Sequence, residues 1–234
     1  MKTYSLSSFN GGLITSKGNT YAFTCVEFNN GVRTVLKAAE GAKIILVLDG
    51  ELDLTIGRKK FQLKKGCWMN IPKGRKYGVQ VYRTFVSCKF VVLTCLQGSI
   101  EDMVISGELD SLPRMKKENG PSFALFGQES EVMLGKYLVF DGDDEIWEDK
   151  SINEGFIFAL KGKFGVKCFL NNGDVPEGNV AFLPKNKKFK IKSFTKGGKA
   201  IVVTSPMEAK PLREYLTYLR EEHGILWDDG ILKL

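Results

Sequence analysis

A chain of 234 residues with 43% hydrophobic and 26% charged residues has the composition of a folded globular protein, one large domain or two small ones, and falls outside the disordered and fibrous classes. Its longest strongly apolar run, residues 44–48, is strand-sized and far short of the ~18 residues a membrane-spanning helix needs. The net charge of +7 and pI of about 9.0 favour anionic ligands, acidic proteins or nucleic acid as partners.

The basic residues cluster at 58–60, 64–65, 73–76 and 185–192. Such lysines also solvate exposed strands and discourage edge-to-edge pairing. No helix-turn-helix, zinc finger or aromatic RNP-type motif accompanies them, so a nucleic-acid partner is not expected. The first seven residues contain one lysine and no apolar stretch, so no secretory leader is expected. Five cysteines (Cys25, Cys67, Cys88, Cys95, Cys168) form an odd set without C-x-x-C spacing. Free, strand-buried thiols in a cytoplasmic protein fit that pattern.

In chain order, residues 21–28 open the first half. Residues 43–48 read as an apolar strand closed by the turn Asp49-Gly50, and 51–56 alternate polar and apolar as a half-exposed strand. After the turn Gly57-Arg58-Lys59, strands at 61–63 and 67–71 bracket Lys64-Lys65-Gly66. Pro72-Lys73-Gly74 turns again before strands at 77–82 and 87–94. A short helix is expected around 99–105 and a linker over 106–122. Residues 123–140 start the second half, with strands at 155–160, 164–170, 180–183, 189–194 and 199–204. Turn signals every eight to twelve residues mark a sandwich or barrel. Near the end, Pro211 precedes Leu212, Tyr215, Leu216 and Leu219, spaced as one face of an amphipathic helix ending near Gly224. Trp227, Ile231, Leu232 and Leu234 form an apolar tail that should dock. The expected organisation is a first barrel over 1–105, a linker over 106–122, a second barrel over 123–206, and a helix with tail over 207–234.

The chain repeats itself at an offset of 112 residues. Ile45, Leu48, Gly50, Gly66, Pro72-Lys73 and Tyr77 fall on Ile157, Leu160, Gly162, Gly178, Pro184-Lys185 and Phe189 without a gap. The first strand of each unit is apolar on both faces. If Lys43, Ile45 and Val47 point inward, then Ile44, Leu46 and Leu48, with Phe156, Phe158 and Leu160 in the second half, need cover. Candidate covers are the other barrel, a second copy or another protein, or a terminal segment. A homo-oligomer or a protein partner follows from the second.

At these residues the chain resembles the cupin superfamily, whose second motif has the form G-x5-P-x-G-x2-H. Gly66, Pro72, Gly74 and Tyr77 match its spacing, as do Gly178, Pro184, Asn186 and Phe189. The histidine is replaced in both halves. The resemblance implies a bicupin: an all-β protein of two jelly-roll/cupin β-barrels, here with a C-terminal α-helix. The family's first motif would place its glutamate on Lys43 and its two histidines near Lys37 and Ala39. In the second half the glutamate position falls on Gly155, beside Glu154. The one histidine, His223, ends the expected helix, where it suits the helix dipole. The metal-binding histidines of the resemblance are therefore missing, and no metal, other cofactor or metal-dependent chemistry is expected.

Residues 44–74 also resemble the ligand-sensing domain of AraC-type regulators, which implies a barrel that receives a small molecule. Three readings follow. The first is a non-catalytic binding or sensing module, with Lys43, Arg75 and Tyr77 taking an anionic or hydroxylated small molecule. The second is a structural or assembly protein with filled barrels. The third is a metal-free enzyme in which Tyr77 acts as an acid because Lys43 lowers its pKa. Tyr77 also has the size to fill the space of the missing histidine, and Phe189 offers no chemistry. No G-x-S-x-G, phosphate-binding loop or H-E-x-x-H pattern is present, and the chain is expected not to be an enzyme.

Overall fold

The computed structural model describes residues 1, 3–5, 13–15, 21–28, 33–81, 87–95, 104–116, 118–127, 134–142, 145–152, 154–169, 171–204, 227–228 and 231–233. In chain order the strands are β1 (Thr3–Ser5), β2 (Leu13–Thr15), β3 (Tyr21–Phe28), β4 (Lys37–Ala38), β5 (Ala42–Asp49), β6 (Glu51–Ile56), β7 (Lys59–Lys64), β8 (Cys67–Ile71), β9 (Lys76–Gln80), β10 (Cys88–Cys95) and β11 (Val104–Glu108). They continue with β12 (Met115–Lys116), β13 (Ser122–Gly127), β14 (Leu134–Phe140), β15 (Ile146–Lys150), β16 (Gly155–Lys161), β17 (Phe164–Cys168), β18 (Asn171–Val175), β19 (Asn179–Leu183), β20 (Lys188–Ser193), β21 (Gly198–Thr204), β22 (Trp227–Asp228) and β23 (Ile231–Lys233). Among the described residues there is no α-helix, only a 3₁₀ turn at Leu109–Ser111.

The strands form two compact units, each a pair of sheets. The first barrel has an eight-stranded sheet in the order β2-β3-β10-β5-β8-β11-β23-β22 and a four-stranded sheet β4-β9-β6-β7. The second has a seven-stranded sheet β1-β19-β16-β21-β14-β13-β12 and a four-stranded sheet β15-β20-β17-β18. The protein is thus all-β, with two jelly-roll barrels, as the strand and turn pattern implies.

The repeat is legible in backbone chemistry. Gly50 and Gly162 close the β5–β6 and β16–β17 turns with φ of 77° and 84°, a left-handed conformation that glycine adopts without steric cost. A Cβ on Gly50 would stand 2.4 Å from the Ser87 carbonyl oxygen. The Gly66 amide donates to the Val47 carbonyl, and the Gly178 amide to the Ala159 carbonyl, both at 2.9 Å. The Gly74 amide donates to the Ala39 carbonyl, and its counterpart Asn186 donates to Ser151. Gly74 has φ 82° and Asn186 φ 55°, so the substitution falls on one of the few residue types that tolerate this conformation.

In the first barrel Ile45 and Val47 of β5, Leu52, Leu54 and Ile56 of β6, Met69 and Ile71 of β8 and Val79 of β9 converge on one buried core. In the second, Leu138 and Phe140 of β14, Ile157 and Ala159 of β16, Phe189 and Ile191 of β20 and Ala200 and Val202 of β21 do the same. The period of two along each strand sets which side chains face inward.

Several elements differ from the expectation. The helix expected at 99–105 falls partly outside the described residues, and its last two residues belong to β11. The expected linker over 106–122 carries the rest of β11, the 3₁₀ turn and β12, and reaches the first residue of β13. The Ser106, Gly107 and Glu108 backbone pairs with Met69, Trp68 and Cys67 of β8, so this stretch completes a sheet. The C-terminal helix expected over 211–224 lies outside the described residues. The apolar tail does dock: Ile231, Leu232 and Lys233 pair in parallel with Val104, Ile105 and Ser106. At the other end of the chain, Thr3, Tyr4 and Ser5 pair with Ala181, Val180 and Asn179, so the first strand belongs to the second barrel's sheet.

Candidate functional site

Lys43 lies on β5 between β10 and β8, opposite Thr94 and Ile71. It has the phase of Ile45 and Val47, so it faces the first-barrel interior. Its Nζ donates to Thr94 Oγ1 at 2.9 Å. Burial pushes the ammonium below its ordinary pKa; Glu40 opposes that shift and Lys37 adds to it. Tyr77 lies on β9 between Lys37 of β4 and Ile56 of β6 and packs against the same core. Its phenol is pushed up, first by burial and then by the Glu40 carboxylate. The condition of the catalytic reading was a Tyr77 made more acidic by Lys43; burial and Glu40 act in the opposite direction, so the surroundings make the phenol a weaker acid than usual.

Arg75 stands in the exposed turn before β9, where its carbonyl accepts from the Ala39 amide at 3.0 Å. The fold therefore brings Lys43 and Tyr77 to one interior and leaves Arg75 at the rim. It adds Glu40, whose carboxylate acts on both. The sequence reading missed Glu40. The available signal was its place in the turn immediately before β5.

The second barrel is built differently at the matching positions. Phe189 is buried in the core. A Cβ on Gly155 would stand 2.5 Å from the Val203 carbonyl oxygen, so no side chain fits where the first barrel has Lys43. A lysine enters instead from β14. Lys136, in phase with Leu138 and Phe140, forms an ion pair with Asp149 and donates to Thr204 Oγ1 at 3.2 Å. Its side chain is only 11% exposed, and its Nζ lies 5.9 Å from the Trp147 ring centroid. Asp149 is the 112-residue counterpart of Lys37. Both barrels thus hold a lysine ammonium bonded to a threonine hydroxyl, Lys43 with Thr94 and Lys136 with Thr204, delivered by different strands.

The cupin resemblance assigns metal ligands near Lys37, Ala39, Lys43 and Tyr77, and at the matching Asp149, Ser151, Gly155 and Phe189. These side chains do not fit a metal. They include no imidazole and one carboxylate, which is already ion-paired to Lys136, and an inward ammonium repels a divalent cation. Burial pushes the thiols of Cys25 and Cys168 up, and that of Cys88 up to about 12, with Asp49 adding to the last, so these three are poor nucleophiles.

The candidate interface positions divide. Ile44, Leu46, Phe156 and Phe158 are buried, and Leu48 and Leu160 are half-buried. Since Ile45, Val47, Ile157 and Ala159 fill the cores, β5 and β16 are covered on both faces along most of their length.

No known sequence family and no curated protein matches the chain. Solved structures do match. Ylba from E. coli, of the family DUF861, superposes with a TM-score of 0.69 at 15% identity, over 87% of this chain and 86% of that one. A Bacillus subtilis oxalate decarboxylase variant superposes with a TM-score of 0.69 at 10% identity, over 89% and 78%. Another variant of that enzyme gives 0.68 at 11% identity, over 88% and 77%. At these identities the likeness concerns the fold, which is the double-barrel cupin fold.

Proposed function

We propose that the chain is a non-catalytic binding module whose first barrel receives an anionic or hydroxyl-rich small molecule between Lys43 and Tyr77. The observation that carries this reading is the inward ammonium of Lys43, held by the Thr94 hydroxyl in an otherwise apolar barrel. A half-buried cation whose charged form is disfavoured by burial gains from an anion that replaces lost hydration. Tyr77, a neutral phenol packed against the same core, supplies a hydroxyl donor. Arg75 at the rim adds a second positive charge on the approach. The second barrel supplies no comparable acceptor of ligand, because Phe189 and the Lys136–Asp149 pair fill the corresponding positions.

Thermal-shift titration with a panel of small carboxylates, phosphates and sugars tests the reading. A hit should raise the melting temperature in a concentration-dependent way. Lys43→Ala should weaken it about 10-fold or more, in line with loss of one charge-assisted hydrogen bond. Tyr77→Phe should give a smaller loss. Stabilisation that survives both changes unaltered would remove this site from consideration.

A further inference from the structure

We infer that the outer face of the β15-β20-β17-β18 sheet binds single-stranded nucleic acid, a role separate from the ligand reading of the first barrel. Phe189 and Ile191 of β20, Val166 and Cys168 of β17 and Trp147 of β15 point into the core. Their alternating neighbours point out: Lys188, Lys190 and Lys192 on β20, Lys167 on β17, and Glu148 and Lys150 on β15. All of these are exposed except the half-buried Lys192. Lysines two apart on a strand repeat at about 6.6 Å, comparable to successive phosphates of an extended single strand.

Packing alone does not account for this arrangement. Lys150 stands directly opposite Lys188, and Lys167 directly opposite Lys190, and like charges so placed destabilise a sheet. Glu148 pairs with Lys190 and Asp174 with Lys163, and on this face lysines outnumber carboxylates.

The corresponding sheet of the first barrel serves as an internal comparison. There the positions that match Lys150–Lys188 and Lys167–Lys190 hold Ala38 opposite Lys76 and Thr55 opposite Gly78, so no lysine faces another, and on β6–β7 Glu51 lies opposite Lys64.

Two phenyl rings bracket the lysines. Phe169, at the end of β17, is 70% exposed, and Phe194, at the end of β20, is 54% exposed. Phe169 holds a φ of 48°, a costly conformation for a bulky residue. Lys187 Nζ lies 4.8 Å from the Phe169 ring centroid and Lys163 Nζ 5.6 Å from that of Phe194. Phe194 reaches across Gly165, where a Cβ would meet its ring at 2.6 Å. Lysines that track a phosphate chain beside aromatic rings that accept bases are the two components of sequence-tolerant single-strand binding. Lys187, Lys188, Lys190 and Lys192 belong to the basic cluster at 185–192, whereas Lys150, Lys167 and Phe169 join them only through strand pairing.

Fluorescence anisotropy with a labelled oligothymidylate of about 12 nucleotides, within the usual single-strand site sizes, tests the inference, with a polyglutamate peptide as the parallel probe. The oligonucleotide should bind saturably at low salt. The triple variant Lys167→Ala/Lys188→Ala/Lys192→Ala should reduce the slope of log affinity against log salt by about 2, at roughly 0.7 per phosphate contact. Phe169→Ala/Phe194→Ala should weaken binding about 30-fold or more at an unchanged salt slope. Lys60→Ala/Lys64→Ala, on the first barrel's sheet, should change nothing. Circular-dichroism melting checks that each variant is folded. The inference is overturned by absence of saturable binding, by binding indifferent to the triple variant, or by polyglutamate binding as tightly as the oligonucleotide with no effect of the phenylalanine changes. The last outcome would mark a face for an acidic protein.

Discussion

Lys136 and Asp149 show what one residue pair does inside the second barrel. A lysine in the middle of a buried strand, LGKYLVF, is costly unless its charge is met. Asp149 and Thr204 meet it, and Asp149 in turn depends on Lys136. Removing one member of a buried pair strands the other, which costs about 3–5 kcal/mol when burial is complete. Asp149 keeps some contact with water, its side chain being 20% exposed, so Lys136→Met should fall toward or below the lower end of that range. Lys136→Met/Asp149→Asn should recover most of the loss. Urea unfolding of the two variants beside the parent protein measures both. Equal losses in the single and double variants would show that the pair is not coupled. None of this was legible in the sequence. A lone lysine among apolar residues reads as a strand-edge exception, and its partner sits 13 residues away on a strand of the other sheet. Lys43 was legible because a motif spacing pointed at it, and Glu40, one turn away, was not because no motif includes it.

At the scale of the element, β5 and β16 were the most readable strands. Their continuous apolar runs imply cover on both faces, and Ile44, Leu46, Phe156 and Phe158 are buried as that requires. Leu46→Lys would place an unpartnered charge at a fully buried position, a loss of several kcal/mol. Its urea midpoint should fall sharply, and an unchanged midpoint would show that this face tolerates water. The strands that escaped prediction share a cause. β18, NNGDV, has little intrinsic strand preference; it is a strand because Phe164 to Cys168 pair with it along their whole length and Val175 turns into the core. β15, IWEDK, was not assigned, although it alternates once Trp147 is seen to face inward. β11 was taken for helix and linker because its pairing partner, β8, lies more than 30 residues earlier. Turn chemistry is local and was readable at Gly50, Gly66 and Pro72; pairing between distant strands was not.

For the whole molecule, the repeat foretold two barrels, but the strands are shared out crosswise. The first strand of the chain, β1, edges the second barrel's sheet, and the last, β23, extends the first barrel's sheet along β11. Hydrogen exchange on truncated chains should show this directly. Removal of residues 1–5 should lower amide protection in β19 and leave β11 unaffected; removal of residues 227–234 should do the reverse and, by exposing a sheet edge, promote self-association seen by sedimentation. Protection that falls equally in both strands with either truncation would contradict the crosswise assignment.

The pairing of β23 with β11 also sets a timetable. Ser106 and Ile231 are separated by 125 residues, yet they lie in the same parallel ladder. At the ~5–20 residues per second of protein synthesis, the ribosome needs roughly 6–25 s to deliver the partner after the β11 edge has emerged. Throughout that interval the nascent first barrel presents an open ladder to its surroundings, and the ribosome-bound chain has to keep it from the equally open ladders of neighbouring chains on the same messenger.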